Sequence, residues 1–391
     1  MGSRTAATSL LEVAREIRPR ILAQREQIEA GRRLPEELAR ELTRAGFFRA
    51  SLPATYGGHD LSPLETLEVY EELARADASV AWCVLNGNAN WTTARLPMET
   101  AHAVFADPGA ILANSTRPSG QAVVVEGGYR VSGQWSLVSG CQFSTWLILL
   151  SIVQEDGQPR RTPSGAPELR FMLFPTADSE IVDTWTAGGL RGTGSHDVVA
   201  REVFVPAAFA SSHTDPMVLP EPRYRCPRVA RVVAGLGALA LGIARGAIET
   251  LVGLAAEKRL MGARDAMRHD WAAQTRLAQA EALVRSARLY LFDAIGRVWE
   301  DVLAGGEASI EARAQARLAT GHAVVSAVQA VDLVYLTGGA TSLYATCPIE
   351  RAFRDAHAIT QHIAVHPRGL EVVGQVLYGL EPEFPPGIPP F

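Results

Sequence analysis

Hydrophobic positions change their spacing twice along the chain, and this predicts three structural regions. Over residues 1–111 the spacing is helical, as where Leu38, Leu42 and Ala45 share one face after Pro35. From about residue 112 apolar and polar positions alternate with a period of two. After Pro227 the period returns to 3.6 and stays there. The pattern therefore predicts helices, then a β-module, then helices again.

Local signals support the first region. Ser9 with Glu12, and Ser62 with Glu65, each have the spacing of a capping box, in which a hydroxyl and a carboxylate satisfy free amides at a helix N-terminus. Gly46 is a plausible helix end. We therefore expect helices to begin near residues 10 and 63.

The second region consists of short runs rich in β-branched, aromatic or other apolar residues. Gly127-Gly128 between the first two runs is a strong hairpin signal. So many strands in under a hundred residues predict a small antiparallel barrel or sandwich. The predicted strands are Ala122–Glu126, Tyr129–Ser132, Trp146–Ile152, Leu169–Phe174 and Asp197–Val205.

The third region predicts a four-helix bundle. Leu277, Val284, Leu291 and Val298 recur every seven residues, and Ala280, Ala287 and Ala294 follow the first three at a distance of three. Small residues at these positions indicate close packing against neighbouring helices. The chain is thus expected to be an α+β protein with an N-terminal helical domain (1–111), a β-domain (112–215), a C-terminal four-helix bundle (225–380) and an extended tail (381–391).

Composition excludes several classes of function. The chain has 391 residues, with 37 basic and 42 acidic side chains, a net charge of −5, so it has no basic surface of the kind that nucleic acid or a membrane needs. Charged residues near the N-terminus argue against a secretory signal, and the apolar segment Val232–Ala244 is too short to span a bilayer. The four cysteines are scattered, which argues against structural zinc. We expect a cytoplasmic globular protein.

The segment of residues 185–197, called here the glycine-rich segment, is the most informative stretch. Its four glycines are interleaved with Trp185, Arg191, Thr193 and Ser195 just before a predicted strand. Glycine lets the backbone approach a flat or anionic ligand closely. The segment is either part of a ligand site or an elaborate connection between strands.

In this order, the motifs resemble the acyl-CoA dehydrogenase fold superfamily over nearly the whole chain. The matching motifs are Pro53 with Tyr56-Gly57-Gly58, Ala76–Trp82, Gly127–Trp135, Ser139-Gly140-Cys141, Gly189–Val198, and Gly338-Gly339 followed by Glu350–Asp355. The resemblance implies that a flavin lies between the β-domain and the C-terminal bundle. It also implies that subunits pair through their bundles, which predicts a homotetramer or at least a dimer.

Two chemistries compete within that superfamily. A dehydrogenase needs a carboxylate that abstracts the α-proton of an acyl-CoA, but neither place where the family carries it, His357–His362 or Arg231–Ala234, contains an acid here. The sequence instead resembles the flavin-dependent monooxygenases of this fold in three places, namely residues 193–197, Trp135–Gly140 and Arg354–His362. Such enzymes receive reduced flavin, FMN or FAD, from a separate reductase and react it with O2 to a C4a-hydroperoxide. A non-catalytic, ligand-binding relative of the fold is a further alternative.

The resemblance also names site residues. Ser139 matches a serine near the reactive flavin edge, and His362 matches a histidine that acts as base or orients the substrate; a strand-end serine and a core histidine are the alternatives. Expected flavin contacts are Trp135, Trp185, Arg191, Thr193, Ser195, Lys258, Arg259, Gly338 and Gly339. An aromatic or polycyclic substrate would contact Trp82, Trp91 and Phe143. For the aromatic residues, core packing is the competing interpretation, and for Lys258 and Arg259 it is the ordinary role of cations at a helix end.

Histidine spacing does not predict a metal site. His362 and His366 are four apart, but Pro367 follows and no cysteine or carboxylate completes a ligand set. His357, about 140° around a helix from His362, is expected to support Asp355 or Arg354. Whether carbon, nitrogen or sulfur is oxygenated stays open.

Overall fold

The computed structural model describes residues 9–88, 92–259, 261–262 and 264–384. Six helices precede the sheet in this part of the chain. They are α1 (Leu10–Ala23), α2 (Arg25–Gly31), α3 (Glu36–Arg44), α4 (Pro63–Ala76), α5 (Ala78–Gly87) and α6 (Met98–Phe105). Both predicted capping boxes are confirmed, because Ser9 and Ser62 each accept from the amide three residues on while Glu12 and Glu65 reach back.

The middle of the chain forms one twisted sheet. Its strands are β1 (Leu112–Val125), β2 (Gly128–Val138), β3 (Trp146–Glu155), β4 (Gln158–Pro159), β5 (Leu169–Pro175), β6 (Glu180–Val182), β7 (His196–Pro206) and β8 (Ala210–Ser211). The strand order is β6-β7-β2-β1-β3-β5-β8, with β4 on β3. The hairpin at Gly127 is confirmed, since β1 pairs antiparallel with β2 on either side of that glycine.

The sheet is mixed, and the expectation of a purely antiparallel module was wrong in this respect. β1 and β3 run parallel, because the chain leaves β2 through a loop and returns on the far side of β1. Alternate residues of β3 supply the cores on the two faces of the sheet. Leu147 and Leu149 pack with β2 and β7, whereas Ile148 and Leu150 pack beneath α6.

The third region contains the predicted bundle. After α7 (Pro222–Arg225) come a π-helical turn (Val229–Val233), α8 (Ala234–Glu257), α9 (Trp271–Leu303), α10 (Ile310–Gly338), α11 (Pro348–Ile359) and α12 (Gly369–Leu377). Most heptad residues predicted on α9 are buried, Leu277 only partly. The fold class is thus confirmed as helices, a central sheet and a C-terminal helical bundle.

Two described helices have the length and apolar composition of a membrane span, Val229–Glu257 and Ile310–Leu343. The first is one continuous helical stretch of 29 residues, much longer than the apolar segment taken from the sequence. Its apolar window is 78% buried inside the protein. The apolar surface of this helix is therefore used in the bundle core.

Candidate active site

Three hydroxyl groups form a hydrogen-bonded row where the end of β2 meets the glycine-rich segment. Ser139 Oγ lies 2.7 Å from Ser195 Oγ, which in turn lies 2.7 Å from Thr193 Oγ1. Thr193 Oγ1 donates to the carbonyl of Leu190 at 2.8 Å. Gly194 has a φ of +52°, which turns the backbone between Thr193 and Ser195. We call Ser139, Ser195 and Thr193 the hydroxyl chain.

An indole ring connects the hydroxyl chain to a histidine. Trp82 lies on α5 and donates from Nε1 to Ser139 Oγ at 3.0 Å. On its other side, the Trp82 ring meets the His362 ring edge to face, with 5.8 Å between the ring centroids. The two residues expected to be catalytic, Ser139 and His362, therefore both contact one side chain.

Trp82 and His362 line a cavity among α4, α5, β1, the π-helical turn and the segment after α11. Its lining combines aromatic, aliphatic and amide side chains, the kind of surface that contacts a small planar molecule. The full lining is Ser51, Tyr70, Trp82, Leu85, Asn86, Asn88, Asn114, Thr116, Arg228, Arg231, Val232, Val233, Leu236, His362, Ile363 and Ala364. We call this space the central cavity, and no Asp or Glu is among its described lining residues.

His362 is held as a neutral ring. It caps a short 3₁₀ turn (Ile363–Val365), and its Nδ1 accepts from the amide of Ala364 at 3.2 Å. Burial first, and then the positive charge of Arg228, lower the pKa of His362 to about 4. At neutral pH the ring proton therefore lies on Nε2, which makes His362 a hydrogen-bond donor rather than a ready base.

The expectation for His357 was wrong. The helix α11 ends at Ile359, so His357 and His362 do not share a helix. His357 Nε2 lies 3.0 Å from Asp332 Oδ1 on α10 and does not contact Asp355 or Arg354 through a described hydrogen bond. Asp332 and His357 are both well exposed, so this contact lies on the bundle surface.

Ion pairs attach the glycine-rich segment to the rest of the protein. The amide of Leu190 donates to Asp355 on α11 at 2.6 Å, and Leu190 has a φ of +51°, unusual for a leucine. Asp355 lies beside Arg351, which pairs with Asp77 at 2.7 Å. Arg191, expected to contact flavin, pairs with Glu29 at 3.2 Å and so takes part in this anchoring.

The two tryptophans expected at the flavin have different environments. Trp135 is completely buried in the sheet core, and its Nε1 donates to the carbonyl of Leu150 at 2.7 Å. Gly133 lets the backbone pass against its ring. We correct the expectation for Trp135, because a residue without exposed surface packs the core. Trp185 is half-buried and donates from Nε1 to the carbonyls of Leu190 and Arg191, both at 3.1 Å.

A second group of expected cofactor residues lies at the end of α10. Lys258 Nζ donates to the carbonyl of Gly338 and, at 2.7 Å, to Thr341 Oγ1. Gly339 has a φ of +56°, and Arg259 beside Lys258 is exposed. These residues come together, but they do not line the central cavity of the described chain.

The expected substrate contacts are not all in one place. Of the three, Trp82 lines the central cavity. Phe143 packs against Phe48, with 5.7 Å between ring centroids, and lines an open groove beside α3 instead. Trp91 lies outside the described residues.

Sequence reasoning missed most of the cavity wall. No signal marked Asn86, Asn114, Arg228 just before the π-helical turn or Arg231 within it, because these side chains meet only after folding. The one available signal was negative, namely the lack of an acid at Arg231–Ala234. A π-helical turn at the start of α8 is itself frequent at functional sites.

The residues present fit a flavin. Asn114, Thr116 and the hydroxyl chain offer amide and hydroxyl groups of the kind that the polar edge of an isoalloxazine needs. Leu137, two residues before Ser139, has a φ of +60° and is 46% exposed, which leaves an apolar surface for a flat ring beside the hydroxyl chain. Polar groups and an apolar surface of the kind a flavin needs are thus present at the end of β2 and on β1.

Comparisons with known proteins identify the family of the chain. Residues 7–96 match the family model of the acyl-CoA dehydrogenase N-terminal domain, and residues 234–367 match that of the C-terminal domain. The chain is 30% identical over 338 residues to an indole-3-acetate monooxygenase of Pseudomonas putida, covering 86% of this chain and 85% of the relative. It is 31% identical to the flavin-dependent monooxygenase oxygenase subunit HsaA of Mycobacterium tuberculosis, covering 96% and 97% of the two chains.

A solved structure supports the same family. XiaF from a Streptomyces species, in complex with FADH2 and glycerol, superimposes with a TM-score of 0.88 at 26% identity, over 96% of each chain. The fold, the absence of an acid from the described cavity wall and these relatives agree. The chain belongs to the flavin-dependent monooxygenases of the acyl-CoA dehydrogenase fold.

Proposed function

We propose that this monooxygenase is the oxygenase component of a two-component system, and that it hydroxylates a small planar aromatic molecule held in the central cavity. The observation that carries the proposal is the contact of Trp82 with both Ser139 and His362. Trp82 thereby joins a hydroxyl suited to the flavin edge to an imidazole that lines the cavity and suits the substrate. The relative named as an indole-3-acetate monooxygenase supports an aromatic substrate class, and the relative named as an oxygenase subunit supports a two-component system.

The side chains of the site have different roles in the proposed oxygen transfer. When bound, reduced flavin supplies the electrons that activate O2 for transfer of one oxygen atom. Ser139 provides a hydrogen bond at the reactive edge in a site from which water is excluded. The neutral imidazole of His362 holds a phenol oxygen in place by donating from Nε2, while Trp82 packs against the imidazole. Val232, Val233 and Leu236 give the cavity an apolar wall for the aromatic ring.

The acyl-CoA dehydrogenase alternative lacks its base. No carboxylate is among the lining residues that the structure describes, and Glu249, further along α8, pairs with Arg75 at 2.5 Å. Oxygen transfer is therefore the reaction that the site supports. This protein is expected to give no enoyl product from acyl-CoAs with an artificial electron acceptor.

Single-turnover mixing tests the proposal directly. The protein with reduced FMN or reduced FAD, prepared without oxygen, is mixed with O2 and indole, resorcinol or indole-3-acetate. Oxygenated product and H2O2 are then counted per reduced flavin. Product from an aromatic compound supports the proposal. Flavin oxidation at the rate of free flavin with each compound, or robust turnover of an acyl-CoA, would contradict it.

The proposal also covers the oligomeric state and the cellular compartment of the protein. We propose a homotetramer in the cytoplasm, supplied with flavin by a separate reductase. The bundle leaves apolar side chains of α9 and α10 uncovered, such as Leu289, Val325 and Leu336. Lys258 and Arg259 would then meet a flavin held partly by the partner subunit. Light scattering at micromolar concentration tests this, because a monomer would contradict it.

A further inference from the structure

The central cavity has a positively charged wall with no acid opposite. Arg231, on the π-helical turn, and Arg228, just before it, both line the cavity alongside Val232 and Val233. The remaining polar lining groups are amides, hydroxyls and the neutral His362. Within the described lining, therefore, positive charge stands beside an apolar surface without a compensating carboxylate.

Arg231 has few partners of its own. Its Nη1 reaches the carbonyl of Tyr224 at 3.4 Å, while its Nε is buried and has no hydrogen-bond partner among the described residues. No described salt bridge includes Arg231, and its charged neighbours Arg95 and Arg223 are themselves cations. Burial lowers the pKa of Arg231 to about 10, so the guanidinium stays charged at neutral pH.

This arrangement is costly unless an anion completes it. A buried charge without an opposite charge or full hydrogen bonding destabilises a protein, and guanidinium groups bind carboxylates with a pair of parallel hydrogen bonds. The surrounding wall, formed by Trp82, Val233 and Leu236, suits an aromatic ring. The two kinds of surface together describe one molecule with an apolar ring and an anionic group.

We propose that Arg231 selects aromatic substrates that carry a carboxylate, and that its guanidinium binds this carboxylate while the ring lies toward Trp82 and His362. The proposal rests on the proposed function, of which it specifies the substrate class. Arg231 is thus a specificity residue, and it takes no part in oxygen transfer.

Direct binding to the flavin-free protein tests this without any reaction. Calorimetry compares indole-3-acetate with indole-3-acetamide, which has nearly the same shape without the charge. We expect the acid to bind the native protein about 10- to 100-fold more tightly than the amide, the range of a charged hydrogen-bonded pair. Arg231→Gln should abolish that preference by weakening the acid while leaving the amide within about twofold, the scatter expected of a neutral contact.

Two further variants serve as controls. Arg231→Lys keeps the charge but loses the planar pair of donors, so part of the preference should remain. Arg225→Gln removes a positive charge from an exposed side chain that donates to the carbonyl of Val302, and it should bind both ligands as the native protein does. Melting temperature and circular dichroism establish that each variant is folded.

Three outcomes would overturn the proposal. The first is equal weakening of acid and amide in folded Arg231→Gln, which would mean a packing role. The second is unchanged affinity for the acid. The third is loss of reduced-flavin binding with both ligands bound normally, which would assign the guanidinium to the cofactor. Failure of the proposed function is separate, since it would appear as absent oxygenation despite selective binding of the acid.

Discussion

Ser139 and Ser195 lie 2.7 Å apart, and the direction of the proton between them decides whether Ser139 can donate to a bound flavin. With Thr193 donating to the carbonyl of Leu190, the proton of each hydroxyl points away from the cavity, and Ser139 can only accept. The same carbonyl also accepts from Trp185 Nε1, so it keeps a partner when the chain reverses. Ser139 can then donate toward the flavin edge.

Ser139→Ala is expected to lower product per reduced flavin and to raise H2O2 by the same amount. Loss of one hydrogen bond at a developing charge in a dry site typically costs about 10²- to 10³-fold in the step it supports. Product and H2O2 counting after single-turnover mixing measures the change. A variant with native coupling would show that Ser139 is only a strand-end serine.

Thr193→Val removes the far end of the hydroxyl chain without touching the cavity. We expect it to reduce coupling in the same direction as Ser139→Ala but less strongly, because Ser195 can still donate to Ser139. The measurement is the same, and Ser144→Ala is a matched control, since its hydroxyl contacts Thr176 instead. If Thr193→Val and Ser144→Ala both gave the native amount of product per reduced flavin, the hydroxyl chain would have no role in coupling.

His362→Ala should leave flavin affinity within error and lower oxygen transfer by about 10²- to 10⁴-fold, the usual range for a lost acid–base or orienting group. Flavin oxidation continues, so H2O2 rises as product falls. His357→Ala is the control, because its ring contacts Asp332 at the bundle surface. If His362→Ala instead mainly lowered the melting temperature with coupling intact, His362 would be a core histidine.

Acid should destabilise the protein partly through His362. Its pKa is near 6.5 when unfolded and about 4 when folded, so between these values the unfolded chain binds more protons. The free energy of unfolding therefore falls as pH falls from 6.5 toward 4, by at most about 3 kcal/mol from this group. The pH dependence of chemical denaturation should be shallower in His362→Gln. Equal slopes would place the titration elsewhere, for example at His213, whose pKa burial also lowers to about 4.

Asp355→Ala should destabilise the protein by about 3 kcal/mol or more, because it leaves Arg351 without one of its buried partners and the amide of Leu190 without its acceptor. Asp293→Ala is the control, since Asp293 forms an exposed pair with Arg297 and should change stability by under about 0.5 kcal/mol. Urea denaturation measures both. Similar values for the two variants would contradict the anchoring role of Asp355.

The sequence predicted the elements well because the signals for them are local. Capping boxes, the Gly127 turn and the heptads of α9 each depend on residues within one or two turns of chain. The mixed sheet was missed because strand alternation carries no information on the order of strands. For the same reason the parallel pairing of β1 with β3 appeared only in the fold.

The site was predictable only where a motif carried it. Ser139 and Ser195, in two separate motifs, proved to be in contact, and His362 proved to line a cavity. The prediction that Trp135 contacts flavin was wrong because a tryptophan beside a motif has the same spacing whether it faces a ligand or the core. The arginines of the cavity wall depend on how α8 begins, and a π-helical turn has no sequence pattern that would reveal it.

Leu190 links two networks through a single residue. Its amide is held by Asp355 on α11, while its carbonyl receives the last proton of the hydroxyl chain. A leucine with a φ of +51° stores strain of about 1 kcal/mol, so it relaxes if either bond is lost. A displacement of α11 would therefore change the direction of the hydrogen bonds that end at Ser139. The helix itself does not contact that serine through any described hydrogen bond. Stability of the bundle and efficiency of oxygen use are in this way tied to the two peptide units that flank the Leu190 Cα.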